Sequence, residues 1–182
     1  MRVIAGEARG VPLIAPRGLE TRPTSDKVKG AIFDSLGDAG SSGRVLDLFA
    51  GSGALGIEAL SRGADHCDFV DRAAAACKTI ATNLAKTRMT DRAAIHATPV
   101  DRFLDRAGAA YDLILMDPPY ALAGLDRFVT QIAASPLAGP GTVLVVEHSS
   151  RRVPPPGAGC LALTKTRVHG DTAFSVYAAP HS

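Results

Sequence analysis

The chain has 182 residues, of which 46% are hydrophobic, and 20 basic side chains stand against 18 acidic ones. That length suffices for one well-buried α/β unit and falls short of two ordinary domains. No stretch approaches the roughly eighteen apolar residues of a membrane span, and Met1-Arg2 leads into no signal-peptide core, so a cytoplasmic protein without a membrane partner is expected. The charge is unevenly spread. Residues 1–30 hold six basic groups against three acidic ones, a net of +3, and residues 151–182 hold four against one, again +3, which leaves −4 for the middle. An acidic body with basic ends suits a partner carrying a phosphate backbone, although short polar termini also carry surplus Arg and Lys that bind nothing specific. Cys67, Cys77 and Cys160 form no C-x-x-C pair, and the five histidines fall in no ligand spacing. Neither a disulfide framework nor a metal site is indicated, and the thiols read as buried or idle.

In chain order, short extended pieces lie near residues 2–4 and 11–14, separated by Gly and Pro. A helix is predicted over 26–36, because Ser25 can cap it and Val28, Ile32, Phe33 and Leu36 fall on one face. Gly37, Gly40 and Gly43 then break it. Apolar runs at 45–49, 67–71, 93–97, 111–116 and 141–147 alternate with helical stretches at about 53–63, 73–88, 99–107 and 122–135. Such alternation implies a mostly parallel sheet covered on both faces. Residues 160–166 and 173–178, about a Gly170-Asp171 turn, read as a hairpin.

Two motifs sit on this frame. In the first, the strand at 45–49 runs through Asp47-Leu48-Phe49-Ala50-Gly51-Ser52-Gly53-Ala54-Leu55-Gly56, with Asp71 twenty residues beyond Gly51. Taken literally this is the G-x-G-x-x-G of a dinucleotide site. There the glycines follow the strand directly, so that a pyrophosphate can rest on the helix N-terminus. Here Asp47 stands at the strand end, four residues before the first glycine. A carboxylate there would repel a pyrophosphate and would attract the ammonium of a methionine moiety. Glycines let the backbone approach a cofactor closely, and Asp71 would accept from both ribose hydroxyls. Together these residues describe a site for S-adenosylmethionine. The structural alternatives are that Asp47 caps the following turn and that Asp71 is a helix N-cap.

In the second motif, Asp117-Pro118-Pro119-Tyr120 follows the apolar strand 113–116. Two prolines fix φ and lack N–H groups, which makes a stiff corner at the strand end. Such a corner offers the Asp117 carboxylate and the Pro118 carbonyl to an exocyclic NH2, with the Tyr120 ring as a platform for its base. The bland alternative is a strand-terminating turn with a buried tyrosine. Asp47, Asp71 and Asp117 all fall at strand carboxyl ends, where open sheets bind ligands. His148, beside Glu147 after an apolar run, is expected to stand behind the cleft rather than to react.

The stretch D-L-F-A-G-S-G-x-L-G-x-E-A-L-S-R-G at 47–63 and the D-P-P-Y at 117–120 resemble the RsmD family. So do Arg2, Gly6, Arg9-Gly10, Arg22-Pro23-Thr24-x-Asp26-Lys27-Val28-Lys29 and Phe33 at the head, and Val168-His169-Gly170-Asp171-Thr172 near the close. The resemblance spans nearly the whole chain. It implies a class I S-adenosylmethionine-dependent methyltransferase fold: α/β, Rossmann-like, a mostly parallel seven-stranded sheet with an antiparallel last strand, plus a short N-terminal extension. It implies one methyltransferase domain over 1–182, with a basic β extension at 1–24 and a catalytic core at 25–182. The implied activity is methylation of a guanine N2 amino group in 16S ribosomal RNA, on a small-subunit particle or assembly intermediate. The expected cofactor is S-adenosylmethionine and the expected state a monomer.

The cofactor-binding set is then Asp47, Phe49, Ala50, Gly51, Ser52, Gly53, Asp71, Arg72 and Val100, with Asp101 or the backbone at Val100 reading the adenine. Asp117, Pro118, Pro119 and Tyr120 form the catalytic set. Arg2, Arg9, Arg22, Lys27 and Lys29 are expected to hold RNA phosphates, with Arg22 or Thr24 also closing over the cofactor. Three other functions compete with this reading: a DNA adenine amino-methyltransferase, a non-catalytic RNA-binding or assembly protein, and a nicotinamide oxidoreductase. The first lacks a spare domain to read duplex DNA. The second would have no need of Asp47, Gly51, Gly53 and Asp117, and the third leaves D-P-P-Y without a role.

Overall fold

The computed structural model describes residues 1–16, 25–41, 43–105, 108–119, 122 and 124–181. Five α-helices and eight strands are described: α1 (Asp26–Leu36), β1 (Arg44–Leu48), α2 (Ala54–Arg62), β2 (His66–Asp71), α3 (Ala74–Thr87), β3 (Ala93–Ala97), α4 (Val100–Leu104), β4 (Tyr111–Met116), α5 (Leu125–Ala133), β5 (Ala138–Ser149), β6 (Gly157–Ala158), β7 (Leu161–His169) and β8 (Thr172–Ala178). One sheet runs β3-β2-β1-β4-β5-β8-β7-β6. Strands β1 to β5 are parallel, and β8 lies antiparallel between β5 and β7. Seven strands were expected. The eighth, β6, is a two-residue piece paired antiparallel to β7, too short to show as a periodic run.

The central strands are largely apolar because both faces are covered. Val45, Leu113, Leu115 and Val145 point into a core closed by α1, α2 and α3. Leu46, Leu48, Ile114, Met116 and Leu144 point into a second core closed by α4 and α5. The α1 bounds follow from its caps. Ser25 Oγ accepts the Val28 N–H at 3.2 Å, and Gly37 ends the helix with φ 54° and its own N–H on the Phe33 carbonyl, the N- and C-terminal signals in their usual places. In α5, Leu125, Phe128, Val129 and Ile132 make one buried stripe at helical spacing.

Of the extension expected at 1–24, residues 1–16 are described. Among the described residues, Arg2 and Pro12 form an isolated bridge, and the loop between them is held by Val3 N–H to Val11 O, Gly10 N–H to Val3 O and Leu13 N–H to Met1 O, at 2.9–3.0 Å. Gly6 presses this loop against α2, and a Cβ there, at φ +80°, would stand 1.7 Å from the Ser61 carbonyl oxygen. No other residue fits that approach. Among the described residues, no helix is long and apolar enough to cross a membrane.

Candidate active site

The strand order reverses between β1 and β4, and a cleft of about 480 Å³ opens at the carboxyl ends of the strands there. This is where open α/β sheets bind ligands, and the volume lies in the range of small-molecule sites. Strand β1 leaves its ladder at Phe49, which takes φ 58°, followed by Gly51 at 55° and Gly53 at 77°. A left-handed phenylalanine costs about 1–3 kcal/mol and persists only where its surroundings hold it. Here the ring sits edge-on to Phe128 at 5.4 Å, and the Ala50 N–H donates to the Val70 carbonyl at 3.1 Å. The turn therefore bends under the cleft rather than across it.

Asp47 is 1% exposed and accepts the Gly56 N–H at 3.0 Å. That bond satisfies one orphan donor in the first turn of α2, so the capping alternative holds as a structural role. It does not exhaust the residue, because Asp47 also lines the cleft. Burial pushes its carboxyl well above the usual range; the Gly56 N–H pulls it back, and the Asp117 and Asp71 charges push it further up. A cation in the cleft would relieve that repulsion. At the end of β2, Asp71 accepts the Gly51 N–H at 2.9 Å on one oxygen and the Ala73 N–H at 2.8 Å on the other. Each carboxylate oxygen has a second lone pair, which leaves capacity for a diol. Asp71 is not the N-cap of α3; Ala73 is.

On the far wall, the Asp117 N–H reaches the Leu48 carbonyl at 3.4 Å, which ties the end of β4 to the end of β1. The prolines then take the chain out of the sheet, and the Leu122 N–H closes on the Pro119 carbonyl at 2.8 Å. Asp117 and Pro119 line the first cleft, whereas Pro118 lines a second cavity of about 250 Å³. The two cavities share Pro119 and Leu122. Leu125, Glu147, His148, Ser149, Arg151 and Arg152 complete the second one. His148 is held from behind, with Nε2 2.8 Å from Ser175 Oγ and Nδ1 2.9 Å from the Ser149 carbonyl. Burial lowers its pKa, with the Arg152 charge acting in the same direction and the Ser149 carbonyl opposing both.

The structure thus brings Asp47, Phe49, Ala50, Gly51, Ser52, Asp71, Arg72 and Val100 to one cleft, with Asp117 and Pro119 opposite and Asp101 at the rim. Gly53 is turned away, its Cβ direction facing Ile80 and Phe69 at 3.3 Å. Tyr120, Arg22 and Thr24 lie outside the described residues. Of the expected phosphate-binding residues, Arg2, Arg9 and Lys27 are exposed. Lys29 is a correction. It is 0% exposed, with Nζ 2.6 Å from the Arg2 carbonyl and 3.2 Å from Glu58 Oε2, and burial lowers its pKa despite that carboxylate. It fastens the amino-terminal loop and cannot reach a phosphate from there.

Glu58, inside the 47–63 stretch, is buried at the seam between the amino-terminal loop and α2. Its oxygens accept the Ile4 N–H at 2.8 Å and the Ala5 N–H at 3.0 Å, besides Lys29 and, at 2.8 Å, Arg62. One turn on, Ser61 Oγ donates to the Ala5 carbonyl at 2.6 Å and accepts the Ala8 N–H at 3.0 Å. A lone acid inside the otherwise apolar or small run 54–60 was the available signal: it could be buried only with partners.

Comparison with known proteins agrees with this arrangement. The model of the family described as conserved hypothetical protein 95 matches residues 1–178. A Bacillus subtilis protein named "Putative rRNA methyltransferase YlbH" is 40% identical over 180 residues, covering 97% of this chain and 98% of its own. Ribosomal RNA small subunit methyltransferase D of Escherichia coli K12 is 28% identical over 177 residues, covering 97% and 89%. A solved Escherichia coli structure described as "Putative methyltransferase yhhF" superposes with a TM-score of 0.85 at 29% identity, covering 100% of this chain and 99% of that one. On these matches the chain belongs to the RsmD family, with its class I methyltransferase fold.

Proposed function

We propose that this protein is an S-adenosylmethionine-dependent methyltransferase of small-subunit ribosomal RNA, and that it methylates the N2 amino group of one guanine in 16S RNA on a particle or assembly intermediate. The observation that carries this reading is the pairing of two cavities across one proline corner, with Asp47 and Asp71 on one side and Asp117 and Pro118 between them and the other. The relatives named for ribosomal RNA methylation support the substrate class. The shortage of exposed large hydrophobics among the described residues, only Ile14, Val153 and Val168, favours a monomer, and a cytoplasmic location follows from the substrate.

The residues fit the cofactor. Asp47 takes its ammonium, Asp71 its ribose hydroxyls, and Val100 with Asp101 its base, while the turn from Phe49 to Ser52 floors the cleft. Bound there, S-adenosylmethionine supplies an electrophilic methyl group on a sulfonium. The chain supplies the rest. A guanine amino group is a poor nucleophile because its lone pair is delocalised into the ring. Hydrogen bonds from that NH2 to the Asp117 carboxylate and the Pro118 carbonyl favour a pyramidal nitrogen whose lone pair faces the cleft. Alignment of the reacting atoms accounts for most of the rate, up to roughly 7–11 kcal/mol in ideal cases. The nitrogen becomes acidic once alkylated, and its proton leaves to Asp117 or water. A stacked base cannot reach this corner, so the target is unstacked or flipped, and the second cavity, rimmed by Arg151 and Arg152, receives it. Tyr120 is its stacking platform. Arg2, Arg9, Arg22 and Lys27 hold neighbouring phosphates.

The test is transfer of labelled methyl groups to 30S particles lacking native methylation, to free 16S RNA and to DNA in parallel, followed by nucleoside analysis. N2-methylguanosine from particles or RNA is expected. Label confined to DNA adenine, or tight cofactor binding with no transfer to any of them, would overturn the assignment.

A further inference from the structure

The amino-terminal loop does more than sit on α2. Its last described residues, Ala15 and Pro16, line the cleft together with Met1, so this strap forms one wall of the site. What holds that wall is Asn83, on α3 and 0% exposed. Its Oδ1 accepts the Ile14 N–H at 2.9 Å, and its Nδ2 donates to the Ile14 carbonyl and to the Ser52 carbonyl, each at 2.9 Å. A primary amide has two donor hydrogens and one carbonyl acceptor, and both hydrogens and the carbonyl are engaged here. Two of the bonds clamp the strap. The third holds the turn that floors the cleft, since Ser52 is itself a lining residue. One turn further along α3, Lys86 Nζ reaches the Pro12 carbonyl at 2.8 Å, away from the cleft.

We propose that Asn83 is a positioning residue that couples the strap to the cofactor turn, so that cofactor occupancy and strap docking favour one another. The inference rests on the reading of the cleft as the cofactor site. A group needed only to fill the core would be apolar, because a buried amide is costly unless every bond is made. Asn83 bonds to both chain segments at once; they otherwise touch in the cleft wall where Ser52 Oγ reaches Met1 Sδ at 3.8 Å, a weak contact beside the three bonds of the amide. Displacing the Ser52 carbonyl shifts the amide, and the amide carries both polar groups of Ile14 with it. Linkage then runs both ways: whatever steadies the turn steadies the strap, and loosening the strap weakens binding at the turn.

The experiment measures hydrogen exchange at the Ile14 amide by NMR, with and without S-adenosylhomocysteine, together with calorimetric affinity for that ligand. The variants are Asn83→Asp, which keeps the acceptor for Ile14 and loses both donors, and Lys86→Ala, which loosens the strap from outside the cleft. In the wild type, the ligand is expected to slow Ile14 exchange by about 10-fold. Asn83→Asp is expected to weaken affinity by about 10-fold, to make Ile14 exchange insensitive to ligand, and to raise KM while leaving kcat within about threefold. Lys86→Ala, which should fold normally, is expected to speed Ile14 exchange in the free protein and to weaken affinity by about threefold. Ligand binding that leaves Ile14 exchange unchanged in the wild type, or unaltered affinity in both variants, overturns the coupling alone. No binding of the ligand to the wild type overturns the cofactor reading and the coupling with it.

Discussion

Asp47 and Glu58 lie eleven residues apart in one motif, and both are buried, at 1% and 0% exposure, but their surroundings differ. Glu58 holds two backbone N–H groups, a lysine and an arginine. Asp47 has the Gly56 N–H and two acids nearby, and its pKa is pushed up. A buried carboxylate surrounded by donors is a fastening. One with surplus negative charge around it, facing a cleft, is set to receive a cation. The distinction lies in the partners, since burial is nearly the same.

The sharpest way to break this comparison is to remove the fastening. Glu58→Ala leaves Lys29 as an uncompensated buried charge and frees two loop N–H groups, at a cost of about 3–5 kcal/mol. For a chain of this size that lowers Tm by roughly 6–20 °C, read by thermal unfolding. A variant melting within a degree or two of wild type would mean that the seam contributes little.

Asp47→Asn should do the opposite. Asn keeps an acceptor for Gly56 and removes the crowded charge, so Tm should hold or rise. Affinity for the cofactor should fall by on the order of 100-fold, about 3 kcal/mol, measured by calorimetry. The pH dependence sharpens the point. The folded carboxyl binds its proton more tightly than the unfolded one, so Asp47 costs stability above its raised pKa, and that cost fades as pH falls toward the unfolded value. Cofactor affinity runs the other way: it weakens as pH falls through the raised pKa, because the ammonium prefers the ionised form. Asp47→Asn should abolish that slope.

Smaller effects separate the basic residues. Lys29→Met should cost on the order of 2 kcal/mol, less than the Glu58 change because Arg62 still serves the carboxylate, and should leave the salt dependence of RNA binding as it was. Arg151→Ala, exposed at the rim of the second cavity, should change stability by no more than about 0.5 kcal/mol. It should reduce the salt slope of RNA binding by about 0.7–0.9. If Lys29→Met flattened that slope and Arg151→Ala did not, the two basic regions would have exchanged roles.

Much of the fold was legible because its signals are local. The α1 limits follow from Ser25 and Gly37, and β4 from its apolar run, while β5 extends three residues earlier and two later than its core because Ala138, Gly139 and Pro140 lack an apolar pattern. The three acids at strand ends were legible for the same reason. The seam was not: Glu58, Ser61 and Asn83 find partners 53 to 69 residues away, and nothing near them in sequence announces that pairing. Lys29 was misread because a lysine on a basic stretch looks solvated until the acid beneath it is known. The second cavity draws on the ends of β4 and β5, which come together only through the sheet order.

The most direct test of the site is single-turnover methyl transfer by Asp117→Ala at saturating S-adenosylmethionine, with cofactor affinity measured on the same preparation. The expected result is a rate reduced by on the order of 1,000-fold with cofactor affinity within about twofold of wild type. Near-normal transfer by that variant would contradict the role of the proline corner in holding the amino group.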